Sequence, residues 1–385
     1  MEQSRKPRVA LMTYAFDNRP AKGTALVARK VTERLLCDDR FEYTLVHFDH
    51  VDDPLYAQAH EVVMPQVRLP VATRFVRTLL FFWRFRREPF DIIHWFQPRL
   101  YPFFWLAPAR HIVVTMHAAG DITAARSAFV LSREVFNRVL QWFHRYLSLA
   151  FAVSQFARDE IIAEYGVAPE RVQVIYNGGG EEYRPLPREA VRPMLARYAV
   201  PNEPYILNIS RFQPHKNVAA LVAAYNRLRD EQPERREHLV LVGTPVMGYT
   251  LPIDAVRASA YAVDIHIIPY VEQDDLNALY TGAAVFAFPS LNEGFGLPIV
   301  EAFASGTPVV TSNATSLPEI AGDAAVLVDA TDERALADAL GRVLSDEALR
   351  GTLRERGFAR AAFFTWDKAA DATLRAYASL LHNTP

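Results

Sequence analysis

The chain has 385 residues, 50% of them hydrophobic, with 42 Lys and Arg against 44 Asp and Glu and a single cysteine, Cys37. That length buries two cores, which excludes disordered, collagenous and small disulfide-stapled proteins, and one cysteine excludes an internal disulfide or a Cys-rich metal site. No charge-free apolar run approaches the roughly 18 residues of a membrane span, and the start Met1-Glu-Gln-Ser-Arg-Lys-Pro-Arg lacks a signal-type apolar core, so a cytoplasmic location is expected.

Short β-rich runs alternate with helical ones in the order of an α/β protein with parallel strands. Strands are expected at 8–14, 43–48, 91–95, 111–116, 149–153 and 172–176, with helices at 24–36, 74–87, 132–146 and 155–165. Prolines at 185, 187, 193, 201 and 204 then interrupt the pattern, and the β/α count restarts. Strands follow at 205–209, 239–243, 265–269, 284–288, 309–312 and 325–328, with helices at 217–231, 274–282, 297–304, 317–321 and 333–344. Two doubly wound domains are therefore expected, at residues 1–190 and 200–365, with an amphipathic C-terminal segment, 366–385, crossing back onto the first. The net charge of −2 is a cancellation: residues 1–200 hold 27 basic against 21 acidic side chains, the rest 15 against 23.

Pro289-Ser-Leu-Asn-Glu-Gly-Phe-Gly-Leu-Pro298 is the most informative segment. A strand ends in a glycine loop, and a helix opens near Pro298, a residue favoured in a first helical turn. Backbone N–H groups at a helix N-terminus beyond a strand's carboxyl end attract phosphate. Glu293 stands in that loop and Glu301 in the first turn or so of the helix. Two carboxylates beside an anion are tolerable where each holds hydroxyls, as a nucleotide diphosphate flanked by sugars would require. Ser210-Arg-Phe-Gln-Pro-His-Lys-Asn217 adds Arg211, able to grip phosphate with two N–H groups, and Lys216, a mobile point charge.

Glu293-x7-Glu301 and Arg211-x4-Lys216 in these contexts resemble family 4 of the GT-B glycosyltransferases, the large retaining family that includes sucrose synthases and many bacterial mannosyl- and glucosyltransferases. The resemblance runs through Phe90-Asp-Ile-Ile-His94, Val153-Ser154, Val174-Ile-Tyr-Asn-Gly178, Ser316-Leu-Pro-Glu319, Gly322-Asp-Ala-Ala325 and Phe364-Thr-Trp366. It implies two Rossmann-like domains facing across a cleft, with a sugar nucleotide held mainly by the second and the acceptor by the first. Arg211 and Lys216 would stabilise the departing diphosphate, Glu301 would hold ribose, and Glu293 would hold the transferred sugar, with Gly294, Phe295, Gly296 and Leu297 close to sugar and phosphate. His117, after Val113-Val-Thr-Met116, matches the family histidine near the donor sugar, and His94 reads as structural support. Gly23 would offer N–H groups to the diphosphate, from a turn with one glycine where the family often has two. Asn177-Gly-Gly-Gly-Glu181 departs from the family pattern, with Gly178 expected at the cleft and Gly179 and Gly180 expected to loosen a loop. No cofactor and no metal are implied.

Seven arginines against two acidic residues mark 74–110, interleaved with aromatics. On a helix, Val76, Leu79, Leu80 and Trp83 share a face that would pack on the sheet, leaving Arg74, Arg77, Arg84 and Arg87 to water. The competing expectation is contact with an anionic membrane surface, aided by Tyr101-Pro-Phe-Phe-Trp105, beside a glycan or lipid-linked acceptor. Nucleic acid is not an expected partner, because no binding motif accompanies the local basic residues. Residues 312–319 resemble mannosyltransferase members, which makes GDP-mannose the first donor expected and a UDP-sugar the next. A non-catalytic sugar-nucleotide binder and a nucleotide-sugar isomerase are the alternatives, told apart by whether free nucleotide is released.

Overall fold

Strands that pair in parallel are covered on both faces and so read as unbroken apolar runs. In the computed structural model, which describes residues 5–14, 23–67, 73–96, 103–117, 138, 140–246 and 248–382, all six residues of Phe90–Trp95 are buried in this way. The chain divides into two compact units, Met1–Gly178 with Trp366–Pro385, and Gly179–Thr365. Among the described residues, the first holds a seven-stranded sheet: β1 Arg8–Met12, β2 Glu42–His47, β3 His60–Val63, β4 Phe90–Trp95, β5 Ala109–Met116, β6 Leu149–Ala152 and β7 Val172–Val174, in the order β3-β2-β1-β4-β5-β6-β7. The second holds six strands: β8 Tyr205–Ile209, β9 His238–Val242, β10 Ile265–Ile268, β11 Val285–Phe288, β12 Val309–Ser312 and β13 Ala325–Val328, in the order β10-β9-β8-β11-β12-β13. Neighbouring strands pair in parallel in both sheets, with Val9 opposite Ile92 and Ile206 opposite Val285. Each order reverses once, between β1 and β4 and between β8 and β11. Two doubly wound, Rossmann-like units result.

The C-terminal helix Trp366–His382 belongs to the first unit. Its Tyr377 is fully buried, meets Phe41 edge-on at 5.9 Å and bonds His94, while Asp367 pairs with Arg34 at 2.5 Å. The backbone nitrogen of Trp366 lies so close over Gly178 that any Cβ there would overlap it.

The division falls at Gly178/Gly179, ahead of the expected linker at 190–200. Residues 188–197 form a helix containing Pro193, whose Val191 and Leu195 pack beside Gly282 in the second unit. Gly179 and Gly180 do not loosen a loop: they lie against Val300 and Ala304, where a Cβ would come within 3.3 and 3.2 Å. Strand β3 and the helices Leu251–Ala258 and Glu347–Phe363 were not expected from the pattern. Of the expected helix 132–146, residues 132–137 and 139 lie outside the described residues, as do Arg99, Tyr101 and residues 20–22 of the turn before Gly23.

The helix Thr73–Phe85 overturns the expected choice of face. Phe81, Phe82 and Phe85 are the large apolar side chains it buries, whereas Phe75, Leu79, Leu80 and Trp83 point to solvent. Arg77 is buried instead of exposed, donating to the carbonyls of Phe48, Met64 and Pro65 and pairing with Asp49 at 3.0 Å. Both faces of this helix are apolar, and periodicity alone cannot choose between them.

Candidate functional site

Open α/β sheets bind ligands beyond the carboxyl ends of their strands, where the strand order reverses. In the second unit the β8 and β11 ends meet that description, and they lead into 210–217 and 289–296. Asn208, fully buried, donates to the Ala287 carbonyl at 2.8 Å and accepts from the Ser210 hydroxyl at 2.9 Å, tying the two strand ends together. Gly243 completes the support. With φ at +150° it passes so close to the Ser210 carbonyl that any Cβ would collide with it.

Lys216 and Glu293 form an ion pair, with side chains 18% and 13% exposed. The Lys216 ammonium also lies 5.3 Å from the centre of the Phe288 ring. Asn217 then adopts a left-handed conformation, φ 57°, and donates to the Ala330 carbonyl at 2.7 Å, which starts the helix Val218–Glu231. The loop bearing Glu293 is held from two sides. Leu291 N–H and the Ser290 hydroxyl donate to the His215 carbonyl at 2.7 and 3.0 Å. Glu293 N–H donates to Thr315 Oγ1 at 3.1 Å, while the Ser316 hydroxyl donates to the carbonyls of Glu293 and Phe295. Thr315 and Ser316, absent from the expected set, thus fix the carboxylate's backbone.

Arg211 is exposed and has no hydrogen-bond or ion-pair partner among the described residues. Gly296, at φ +106°, caps the helix Leu297–Ala304 without a side-chain bond, and Pro298 stands in its first turn. Phe295 is buried against Phe364, edge-on at 5.4 Å. The loop Glu293–Gly296, at the start of that helix, is thus joined to Lys216 through the Glu293 ion pair, while Arg211 stands unengaged on the same β8 loop as Lys216.

Glu301 occupies different surroundings from Glu293. It is the fifth helical residue, beyond the first turn, and is 9% exposed. Tyr280 donates to its Oε2 at 2.8 Å, and Tyr183 lies against the same carboxyl, itself accepting from Gln273 at 2.9 Å. The two tyrosine rings meet edge-on at 5.7 Å. Burial pushes the Glu301 carboxyl up to about 7, against the opposing pull of both tyrosine hydroxyls and with a small push from Glu182. Spacing could not reveal these tyrosines, since Tyr183 is 118 residues away in sequence.

In the first unit, His117 follows the last residue of β5, half-buried, and Gly23 caps the helix Thr24–Leu35 with φ +56° and open space where a Cβ would stand. His94 is structural: its two ring nitrogens bond Tyr377 at 2.6 Å and Thr115 at 2.8 Å, and burial lowers its pKa to about 3.

Residues 196–360 match the family described as Glycosyl transferases group 1, and residues 23–178 match Glycosyltransferase Family 4. O-antigen chain mannosyltransferase B of Escherichia coli is 34% identical over 229 residues, 60% of this chain and 60% of that protein. The serotype-specific mannosyltransferase WbdA of the same species is 31% identical over 257 residues, 66% of this chain but 31% of WbdA. The chain thus spans less than two thirds of these relatives. Among solved structures, sucrose-phosphate synthase of Thermosynechococcus elongatus superimposes with a TM-score of 0.76 at 19% identity, covering 99% of this chain and all of that one. HepE of Anabaena, solved with UDP and glucose, gives 0.75 at 17% identity over 97% of this chain and 100% of its own.

Proposed function

The chain belongs to family 4 of the GT-B glycosyltransferases, and from that premise we propose that it transfers a hexose from a nucleotide diphosphate sugar, with retention and without a metal, to a glycan or glycolipid acceptor in surface polysaccharide synthesis. The observation that carries this reading is the β8–β11 switch point, where Lys216 is locked to Glu293 while Arg211 stands unengaged on the same loop. GDP-mannose is the proposed donor, supported by the two mannosyltransferase relatives, with a UDP-sugar next.

In the reaction the bond from the anomeric carbon to the phosphate oxygen breaks, and its electron pair leaves with the nucleoside diphosphate. The acceptor oxygen bonds the anomeric carbon and its proton is released. Charge builds on the departing diphosphate, and fixed cations aimed at that charge are the strongest lever available. Arg211 and Lys216 take this role, with the backbone of Gly294, Phe295, Gly296 and Leu297 at the helix N-terminus. Glu293 holds hydroxyls of the transferred sugar and keeps Lys216 in position. Glu301 accepts from the ribose hydroxyls. His117 and Gly23 keep the sugar and diphosphate contacts that the family pattern implies.

Calorimetry against GDP, UDP and ADP, followed by turnover of the matching sugars with and without EDTA, tests the proposal. Tight GDP binding, EDTA-insensitive release of GDP from GDP-mannose and a product of unchanged anomeric configuration are expected. Binding without nucleotide release would point to a sensor, and interconversion of two intact nucleotide sugars to an isomerase; either overturns the reading.

A further inference from the structure

The helix that turns Arg77 inward leaves an apolar stripe outward. Phe75, Leu79 and Trp83, each four residues from the next, lie along one side with Leu80 beside them, and Trp83 is 63% exposed. Nothing in a folded domain demands this, because the same helix already buries three phenylalanines on its other side. The stripe does not end with the helix. Phe75 meets Phe103 at 6.3 Å, Phe103 meets Trp105 at 5.5 Å, Trp105 stacks on Phe143 at 3.8 Å, and Phe143 lies 6.1 Å from Tyr146. Leu106 and Trp142, the latter 70% exposed, are the chain neighbours of Trp105 and Phe143. Among the described residues of the first unit, every exposed large apolar side chain lies on this helix, in this chain of rings or next to it in sequence.

Its fringe is cationic. Arg74, Arg84, Arg86, Arg87 and Arg145 are exposed along the two segments, with Arg86 stacked 4.2 Å from the Trp83 ring and Arg145 5.1 Å from that of Tyr146. Exposed aromatic and aliphatic groups ringed by guanidinium groups match the boundary of an anionic bilayer, where rings enter the headgroup layer and cations meet lipid phosphates. Among the described residues no helix is long and apolar enough to cross a membrane, and the band calls for surface contact. We propose that this face of the first unit docks onto an anionic lipid surface, with Trp83, Leu79 and Leu80 inserted and Arg84, Arg86 and Arg87 on phosphate groups.

Flotation of the full chain with vesicles, in the absence of any sugar nucleotide, makes the test independent of the proposed transfer. Binding to phosphatidylcholine vesicles containing phosphatidylglycerol, weakening as salt rises, is expected, with little binding to phosphatidylcholine alone. Each of Arg84→Gln, Arg86→Gln and Arg87→Gln should weaken partition about fivefold. Leu79→Glu with Trp83→Glu should weaken it by about tenfold or more, with an unchanged melting curve because both side chains are exposed. Val263→Glu, at an exposed position in the other unit, should bind as the parent chain does. Equal binding to both vesicle types, or parent-like binding by the Leu79/Trp83 variant, overturns the proposal. So does a concentration-dependent dimer that Trp83→Glu dissolves, which would give this face to a second copy of the chain.

Discussion

Glu301 is where stability and ligand binding pull in opposite directions. Its carboxyl titrates near 7 when folded, against about 4.3 in an unfolded chain. Across that window the folded protein keeps a proton that the unfolded chain has released, so this residue's contribution to stability falls as pH rises. Glu301→Gln removes the slope: by urea unfolding it should match the parent near pH 4 and exceed it by ~3 kcal/mol at pH 8. The same change should cost about 1 to 3 kcal/mol of nucleotide affinity through lost ribose hydrogen bonds, and parent affinity should itself rise as pH passes 7. Unchanged calorimetric affinity would remove Glu301 from the ribose contact. The two cations separate differently. Arg211→Ala touches no partner and should shift stability by less than about 0.5 kcal/mol while lowering turnover severely. Lys216→Ala should lower turnover and also cost about 1 to 3 kcal/mol of stability, because it leaves the mostly buried Glu293 carboxylate unpaired. Parent-like turnover by either variant at saturating donor would take that residue out of the site. The candidate residues could be proposed from the sequence because short spacings place them on one loop or one helix end. Their supports, Tyr183, Tyr280, Thr315 and Gly243, were not, since each acts across strands that only folding brings together.

Element bounds were legible where glycine and proline mark them, as Gly296 and Pro298 do at the start of Leu297–Ala304, whereas the buried face was not legible where both faces are apolar. The helix Leu297–Ala304 matched its expected bounds, whereas Thr73–Phe85 was found at the right place with the wrong side inward. The decisive term lies outside the helix: the carbonyls of Phe48, Met64 and Pro65 need a donor, and Arg77 supplies it. Strand β3 was missed because its four residues, His60–Val63, carry two polar groups, and the 188–197 helix because Pro193 was read as a break. Arg77→Gln should therefore destabilise the protein by about 3 kcal/mol, since buried carbonyls and Asp49 lose a charged donor. Arg84→Gln, about two helical turns beyond Arg77 and exposed, should change stability by less than about 0.5 kcal/mol. Equal midpoints for the two in urea would show that the interior bonds of Arg77 carry no net stability.

At the scale of the whole chain, the restart of the β/α count did mark a second sheet, but the break in contacts precedes the prolines that suggested it. Counted by unit, the first holds 25 basic against 20 acidic side chains and the second 17 against 24, so the cationic excess belongs to the unit with the exposed apolar band. The first unit is also discontinuous in sequence, because its last helix returns after the second unit is complete. That helix covers His94 and Phe41 with Tyr377 and closes over Gly178 with Trp366. Deleting residues 366–385 should consequently unfold the first unit while leaving Gly179–Thr365 folded. In the full chain, a nucleotide present at a hundredfold over its Kd should stabilise the second unit by about 2.7 kcal/mol. The deletion should retain that nucleotide-dependent shift in thermal unfolding and lose the remaining cooperative signal. Loss of the nucleotide response together with the first unit's transition would mean that the two units fold as one, and that the second cannot hold its site without the helix that ends the chain.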